Sequence, residues 1–580
     1  MSSIAAPETR SYLSRVYVAD AEPAPGAVAA TAPARRWLIE ALLVGLAVVV
    51  AYALLHMPRV FVTPGAFNDD GVYLALGRAI AEGAGYHSIH MPGAPLHVKF
   101  PPALPLLYAL LWRTFGSLDA VVVAAHALSI AAVGTAAGLL WHVARARFAV
   151  PVLLALPFAI GPFLLDPAMQ YYTLPITEAW FALAWAVALV LAWRVTDREP
   201  GAGTSAAAWL GLAFGLAVLL RTQAVALVPA LALALWLARR RREAIVALVV
   251  AAIPVVAWQL LLAAMREGAT ISTLPDESGY LAFLPPGGPV DVVVGLAKTV
   301  AANAWLYFVV IAAYLHGVKL VGGVLAVAVL LLGVVAGVRL GRERQLLPLG
   351  VLASGALLLV WPAVQDRLLI PLMPFAGLLA AVALTMLLPR LPRMGVIVGM
   401  GALTFLAIGV AAQQVALRES AYWMVLNGHV PAIRSPSWFL LHNTRTIATV
   451  SGWVEKNARQ DDRVLSLLPV GVWLRTGRQA ATSWPVTSDL EPPVFEVPGR
   501  FLAERIADDR ITLVVVERPD LPLGDDVRTV GDRCPGAITA AGASRGGWPR
   551  YFRVEAAHSA CVTRLAGELG AKAAALRAAR

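Results

Sequence analysis

Trp37 to Met57 is a nearly unbroken apolar run, long enough to cross the hydrocarbon core of a bilayer as one helix. Runs of the same kind recur at 119–141, 148–165, 176–193, 206–220, 222–238, 244–264, 319–338, 346–361, 368–388 and 394–412. Arginine clusters fall at alternate ends of these runs: Arg145 and Arg147, Arg194 and Arg198, Arg239 to Arg242, Arg339, Arg342 and Arg344, Arg390 and Arg393. One cytoplasmic face carrying the positive charge places them so. The pattern predicts an all-α polytopic membrane domain over residues 35–412 with about eleven to thirteen spans. Pro101 to Gly116 is short for a span, and counting it as one reverses the sidedness of everything after it. It is read as re-entrant, tilted, or a span paired with another.

The remaining stretches complete the organisation. Residues 1–34, rich in Ala, Pro and small polar residues, read as a disordered cytoplasmic tail. The first span is too long and too far from the N-terminus for a signal peptide. Residues 59–100 and 265–318 read as long loops on the extracytoplasmic side. Residues 413–580 carry 21 Lys+Arg and 17 Asp+Glu, against 26 and 19 in residues 1–412, so charged density roughly doubles. This tail is read as a small soluble extracytoplasmic α/β domain. Thr444 to Asn457 is helix-like, and Val464 to Leu468 and Ile511 to Val516 are buried-strand candidates.

Composition narrows the function. The chain is 59% hydrophobic and 14% charged, which excludes soluble enzyme classes. The net charge of +11 lies in the loop arginines, so it marks topology and not a nucleic-acid partner. Two cysteines, Cys534 and Cys561, are too few for a disulfide scaffold or a four-cysteine zinc site; whether they pair is open. No G-x-x-x-x-G-K-[ST], G-x-G-x-x-G or H-E-x-x-H occurs, which argues against nucleotide hydrolysis. Gly542 to Gly546 matches G-x-S-x-G but lacks a strand-turn-helix context and reads as a loop.

Several polar residues stand out. Asp69 and Asp70 follow the first span at the start of a helical stretch. Two readings compete: carboxylates meeting the positive end of a helix, or a general base or metal ligand at the membrane surface. Adjacent helical residues diverge by about 100°, so one Asp can serve each role. Lys99, before Phe100-Pro101-Pro102, either snorkels at the interface or meets a phosphate near a helix N-terminus. Arg221, with Thr222 and Gln223, either anchors between two short spans or belongs to a site. Arg367, with Gln365 and Asp366, poses the same choice, a surface pair with Asp366 being the alternative. Glu178 begins a span behind Thr177 and either caps it or needs a partner. His87, His90 and His97 lack the spacing of a standard zinc pair, and Asp276 and Glu277 read as solvated loop residues.

The order of these parts resembles the GT-C glycosyltransferases, most nearly the bacterial aminoarabinose-transferase and protein-mannosyltransferase-like branch. The parts are Asp69-Asp70 and Tyr73 after the first span, Gly83-x-Gly85-Tyr86, Lys99-Phe-Pro-Pro, Arg221 between short spans, and Arg367-Leu-Leu-Ile-Pro-Leu-Met-Pro374. The resemblance covers roughly residues 37–412. It implies juxtamembrane helices in the first loop and a polyprenyl-phosphate sugar as donor. The acceptor is a glycan, lipid or protein hydroxyl on the extracytoplasmic face of the cell membrane. It implies catalytic roles for Asp69 and Asp70, with Asp69 as the base and a divalent cation nearby. Lys99 and Arg221 then hold the lipid phosphate, Arg367 has a phosphate or structural role, and Tyr73 and Glu178 join them as substrate-binding residues. Asp70 stands where Glu is common in that family, which is a departure from its pattern. The competing expectation is a transporter or lipid flippase, but no repeated halves with matching broken helices are visible.

Overall fold

The computed structural model describes residues 31–55, 63–199, 201–271, 289–315, 319–361, 366–388, 393–405, 408–409, 436–483, 497–517, 522–544 and 547–578. The tail 1–30, Asp276, Glu277, Gln365, Arg545 and Gly546 lie outside the described residues.

The first four helices are α1 (Thr31–Leu55), α2 (Asp69–Ala81), α3 (Ala103–Phe115) and α4 (Leu118–His142). Small residues bring α1 and α4 into backbone contact: a Cβ on Gly45 would lie 2.7 Å from Gly134 O, and one on Gly138 2.6 Å from Ala41 O. These pairs run in opposite directions along the chain, so the two helices are antiparallel. Glu40 therefore meets the far end of α4, accepting from Trp141 Nε1 at 3.3 Å and pairing with Arg145 at 3.7 Å.

Antiparallel α1 and α4 also place the 101–116 segment. The chain leaves α1 and enters α4 at the same end of the bundle. Helix α3, 13 residues and about 20 Å long, makes no net crossing between them. It packs against α2 at that end.

The bundle continues with α5 (Val152–Leu164), α6 (Asp166–Thr173), α7 (Glu178–Thr196), α8 (Thr204–Leu220), α9 (Leu227–Leu237) and α10 (Arg241–Arg266). Then come α11 (Pro289–Leu315), α12 (Lys319–Arg339), α13 (Leu346–Val360), α14 (Arg367–Leu387) and α15 (Arg393–Phe405). Among the described residues, six helices are long and apolar enough to cross a membrane and seven more are shorter and apolar. Basic residues gather at one end: Arg147 pairs with Asp197 at 2.5 Å, Arg240 Nη2 donates to Thr196 O at 2.8 Å, and Arg344 lies over the Phe148 ring. At the other end Tyr52 donates to Phe163 O at 2.6 Å.

One expectation changes. The stretch 265–318 is not a loop throughout, because α11 occupies residues 289–315 and its Val290–Ile311 portion is long and apolar enough to cross a membrane. Asp291, Lys298 and Asn303 interrupt the apolar pattern and hide it from a hydropathy reading. Asn303 is satisfied inside the protein, its Nδ2 donating to Leu359 O at 3.0 Å and Trp361 O at 2.5 Å.

The C-terminal domain follows the order α16 (Pro436–Asn457), β1 (Val464–Ser466), α17 (Pro469–Thr476), β2 (Ala480–Thr482), α18 (Arg500–Asp509), β3 (Leu513–Val516), α19 (Leu523–Arg533), β4 (Ile538–Ala543), β5 (Arg550–Val554) and α20 (Ser559–Ala578). The strands form one sheet in the order β2-β1-β3-β5-β4, parallel from β2 to β3 and antiparallel beyond. The fully buried Leu513 to Val515 follow from its central place. Cys534 and Cys561 are paired as a disulfide. Ser544 follows β4 in a loop and hydrogen-bonds the Tyr551 hydroxyl.

Candidate active site

The site is built at the N-terminus of α2. The turn before it is held by Asp70, whose carboxylate accepts the N–H groups of Gly65 at 2.9 Å and Phe67 at 3.1 Å. Gly65 supplies the left-handed backbone the turn requires, at φ 88°. Asp70 is fully buried, and burial, with the neighbouring Asp69 charge, pushes its pKa up to about 7 against the pull of the backbone N–H groups. Asp70 thus faces the turn, and Asp69, about 100° around the helix, faces elsewhere.

Asp69 Oδ2 lies 2.5 Å from Arg367 Nη1. Burial pushes the Asp69 pKa up, but Arg367, Lys99 and Arg221 together outweigh it and hold the carboxylate below its ordinary range. The Arg367 guanidinium also lies 5.0 Å over the Phe67 ring, which packs edge-on to Tyr171. Glu178 and Tyr73 lie within electrostatic reach of Arg367.

Arg221 follows α8 with extended backbone, which ends the helix. Its Nη1 is 2.7 Å from Glu178 Oε1 and donates to Thr177 Oγ1 at 2.8 Å, while Nε donates to Gln223 Oε1 at 3.0 Å. Gln223 Nε2 in turn donates to Leu368 O at 3.3 Å, next to Arg367. Glu178 is 1% exposed, and Thr177, the residue that precedes α7, makes no side-chain cap. The Glu178 charge is offset by Arg221, as a buried carboxylate requires.

Lys99 and Tyr73 flank the same region. The Lys99 ammonium lies 5.2 Å over the Phe100 ring, and Phe100 stacks on Tyr73 at 4.6 Å. Asp69 and Lys99 line one small pocket together with Asn68, Ser88, His90 and His97.

The sequence-predicted residues Asp69, Tyr73, Lys99, Glu178, Arg221 and Arg367 are therefore brought to one end of the bundle, whereas Asp70 is turned away into the preceding turn. Sequence reading missed Ser88 and Phe67, which carry no motif. A divalent cation does not fit the residues as they stand. Asp69 is engaged by Arg367, Asp70 by backbone N–H groups, and both His97 nitrogens are hydrogen-bonded. Among the described residues no three His, Cys, Asp or Glu side chains gather as a metal site.

No family model and no curated protein sequence matches the chain. Solved structures do. ArnT from Cupriavidus metallidurans in the apo state aligns over 91% of this chain and 99% of its own, at 16% identity and a TM-score of 0.51. The same enzyme bound to undecaprenyl phosphate aligns over 90% and 98%, at 15% identity and 0.52. The oligosaccharyltransferase AglB from Archaeoglobus fulgidus, in complex with an inhibitory peptide and a dolichol-phosphate, aligns over 83% and 70%, at 13% and 0.54. The fold is GT-C-like. In this chain the membrane helices are followed by a small sheet-containing C-terminal domain, which rests on the end of the bundle that holds Asp69. Ala480 N–H donates to His90 O at 2.7 Å, Asn443 Nδ2 to Ala66 O at 2.7 Å, and Arg475 Nη2 to Thr63 Oγ1 at 3.2 Å.

Proposed function

We propose that the protein is a membrane glycosyltransferase that moves a sugar from a polyprenyl-phosphate donor to an acceptor hydroxyl on a glycan, lipid or protein. The observation that carries this reading is the buried Asp69 to Arg367 pair, with Lys99 and Arg221 beside it, at one end of an apolar helix bundle. A lipid-borne phosphate reaches that end from the bilayer without leaving it. Two proteins of the same fold were solved with a lipid phosphate bound, undecaprenyl phosphate in ArnT and dolichol-phosphate in AglB. With the arginine clusters on the cytoplasmic side, the site and the soluble domain face outward in the cell membrane, where no nucleotide donor is supplied.

The transfer breaks the bond between the anomeric carbon and the phosphate oxygen, and forms one from that carbon to the acceptor oxygen. Asp69 accepts the acceptor's proton. Lys99, Arg221 and Arg367 take the charge that develops on the departing lipid phosphate as the sugar passes through an oxocarbenium-like state. In the resting arrangement Asp69 is a poor base, because Arg367 holds its carboxylate in the ionised, weakly basic form. An arriving phosphate competes for Arg367, which loosens that hold and strengthens the base. One base opposite the leaving group gives inversion at the anomeric carbon.

The test is transfer of labelled sugar from undecaprenyl-phosphoryl sugars into a cell-envelope extract. Asp69→Asn should lower turnover by about a thousandfold or more, with undecaprenyl phosphate still bound. A variant that transfers at the wild-type rate removes Asp69 as the base, and a product with retained configuration removes the single displacement.

A further inference from the structure

The pocket shared by Asp69 and Lys99 has space for a water-sized group, and its hydrogen bonding is incomplete. The Phe100 N–H can only donate, and it lies 3.1 Å from His97 Nε2. That nitrogen is therefore the acceptor, and the ring proton is assigned to Nδ1. Nδ1 in turn donates to Ser88 Oγ, 3.2 Å away. The hydroxyl proton of Ser88, a 3% exposed residue, is left with no acceptor among the described residues. His90, 2% exposed, is the second open group, since its Nδ1 is buried with no hydrogen-bond partner among the described residues.

Buried polar groups are ordinarily paired, so two open ones lining a single pocket indicate what the pocket holds. Burial pushes His90 and His97 down to about 3, so both rings are neutral at physiological pH and suit a hydroxyl better than a phosphate. Asp69 and Lys99 border the same pocket. On the donor-lipid reading, the transferred sugar lies between an acceptor oxygen at Asp69 and a phosphate at Lys99. The loop is fixed from outside by the C-terminal domain, through Ala480 N–H on His90 O.

The geometry points to a hydroxyl subsite, in which Ser88 and His90 hydrogen-bond one hydroxyl of the transferred sugar and His97 is the positioning residue that orients Ser88. This rests on the donor-lipid reading of the same site. It makes the 86–100 loop a determinant of which sugar is accepted, because a site built to pair a hydroxyl penalises a sugar that lacks or misplaces it.

The test compares affinities of the full-length protein in nanodiscs for undecaprenyl phosphate and for undecaprenyl-phosphoryl glucose, mannose and galactose. In the wild type at least one sugar-linked lipid should bind about tenfold tighter than the bare lipid phosphate. Ser88→Ala and His90→Phe should each erase most of that gain, with bare-lipid affinity changed by less than about twofold, which also reports an intact fold. Ser88→Thr, which keeps the hydroxyl, should retain the gain. A gain that persists in both variants overturns the subsite, as does an equal loss of sugar-linked and bare lipid in the two variants. A wild type that binds bare lipid with no preference for any sugar overturns the subsite alone. A wild type that binds none of these lipids overturns the donor-lipid reading as well.

Discussion

Asp69 and Asp70 are chemically identical neighbours with opposite environments. One meets an arginine and is held ionised; the other is enclosed by backbone and driven toward its neutral form. The sequence predicts that two adjacent helical carboxylates diverge, but which one faces the cavity depends on a turn whose partners it does not display. The Asp70 environment has a measurable consequence. Its pKa is 3.8 in the absence of the fold and about 7 within it. Between those values the folded chain holds a proton that the unfolded chain has lost, so this group's contribution to stability falls as pH rises. The contribution is fully present below 3.8 and gone above about 7. Asp70→Asn cannot titrate, so the melting temperature of wild type minus that of Asp70→Asn should shrink as pH rises through this window and then level off. A difference independent of pH contradicts a raised Asp70 pKa.

At the scale of elements, hydropathy made the long spans legible, and the alternation of arginine clusters agrees with the gathering of Arg147, Arg240 and Arg344 at one end of the bundle. Two helices escaped that reading for different reasons. Helix α3 is apolar but too short to cross, and its placement depends on the antiparallel contact of α1 with α4. Helix α11 is long enough, but Asp291, Lys298 and Asn303 break its pattern, and Asn303 finds its acceptors only once α13 is beside it. The α1 to α4 contact also yields a prediction, because water gives no driving force between helices in lipid and close packing must supply the association. Gly138→Val should destabilise the protein by about 1–3 kcal/mol, since its Cβ would sit 2.6 Å from the Ala41 carbonyl. Gly355→Val on α13, where a Cβ meets nothing within 4 Å, is the control. Equal thermal unfolding of the two variants in detergent removes the close approach as a source of stability.

On the scale of the whole molecule, the C-terminal domain grips the turn that orients the two aspartates. Gly65 lies so close to α17 that a Cβ would meet Gly471 Cα at 2.5 Å. Arg78 on α2 is held between Trp112 of α3 and Trp473 of α17, at 5.4 and 5.2 Å. None of this was legible, since it joins residues some 380 positions apart, such as Thr63 and Thr444, and the sequence shows the C-terminal domain only as a separate α/β pattern. If the domain were merely appended, its attachment would be irrelevant to chemistry. If it holds the turn, loosening it misplaces Asp69 without touching the site. Gly471→Val separates these cases, because a Cβ there meets Ile447 Cδ1 at 2.4 Å and Pro64 O at 3.1 Å, and the substitution lies outside the turn before α2. It should raise protease sensitivity between the membrane and C-terminal domains and lower sugar transfer by roughly a hundredfold, the cost of about an ångström of misplacement. Transfer at the wild-type rate from a protein whose C-terminal domain has come loose would show that α2 holds Asp69 in place unaided.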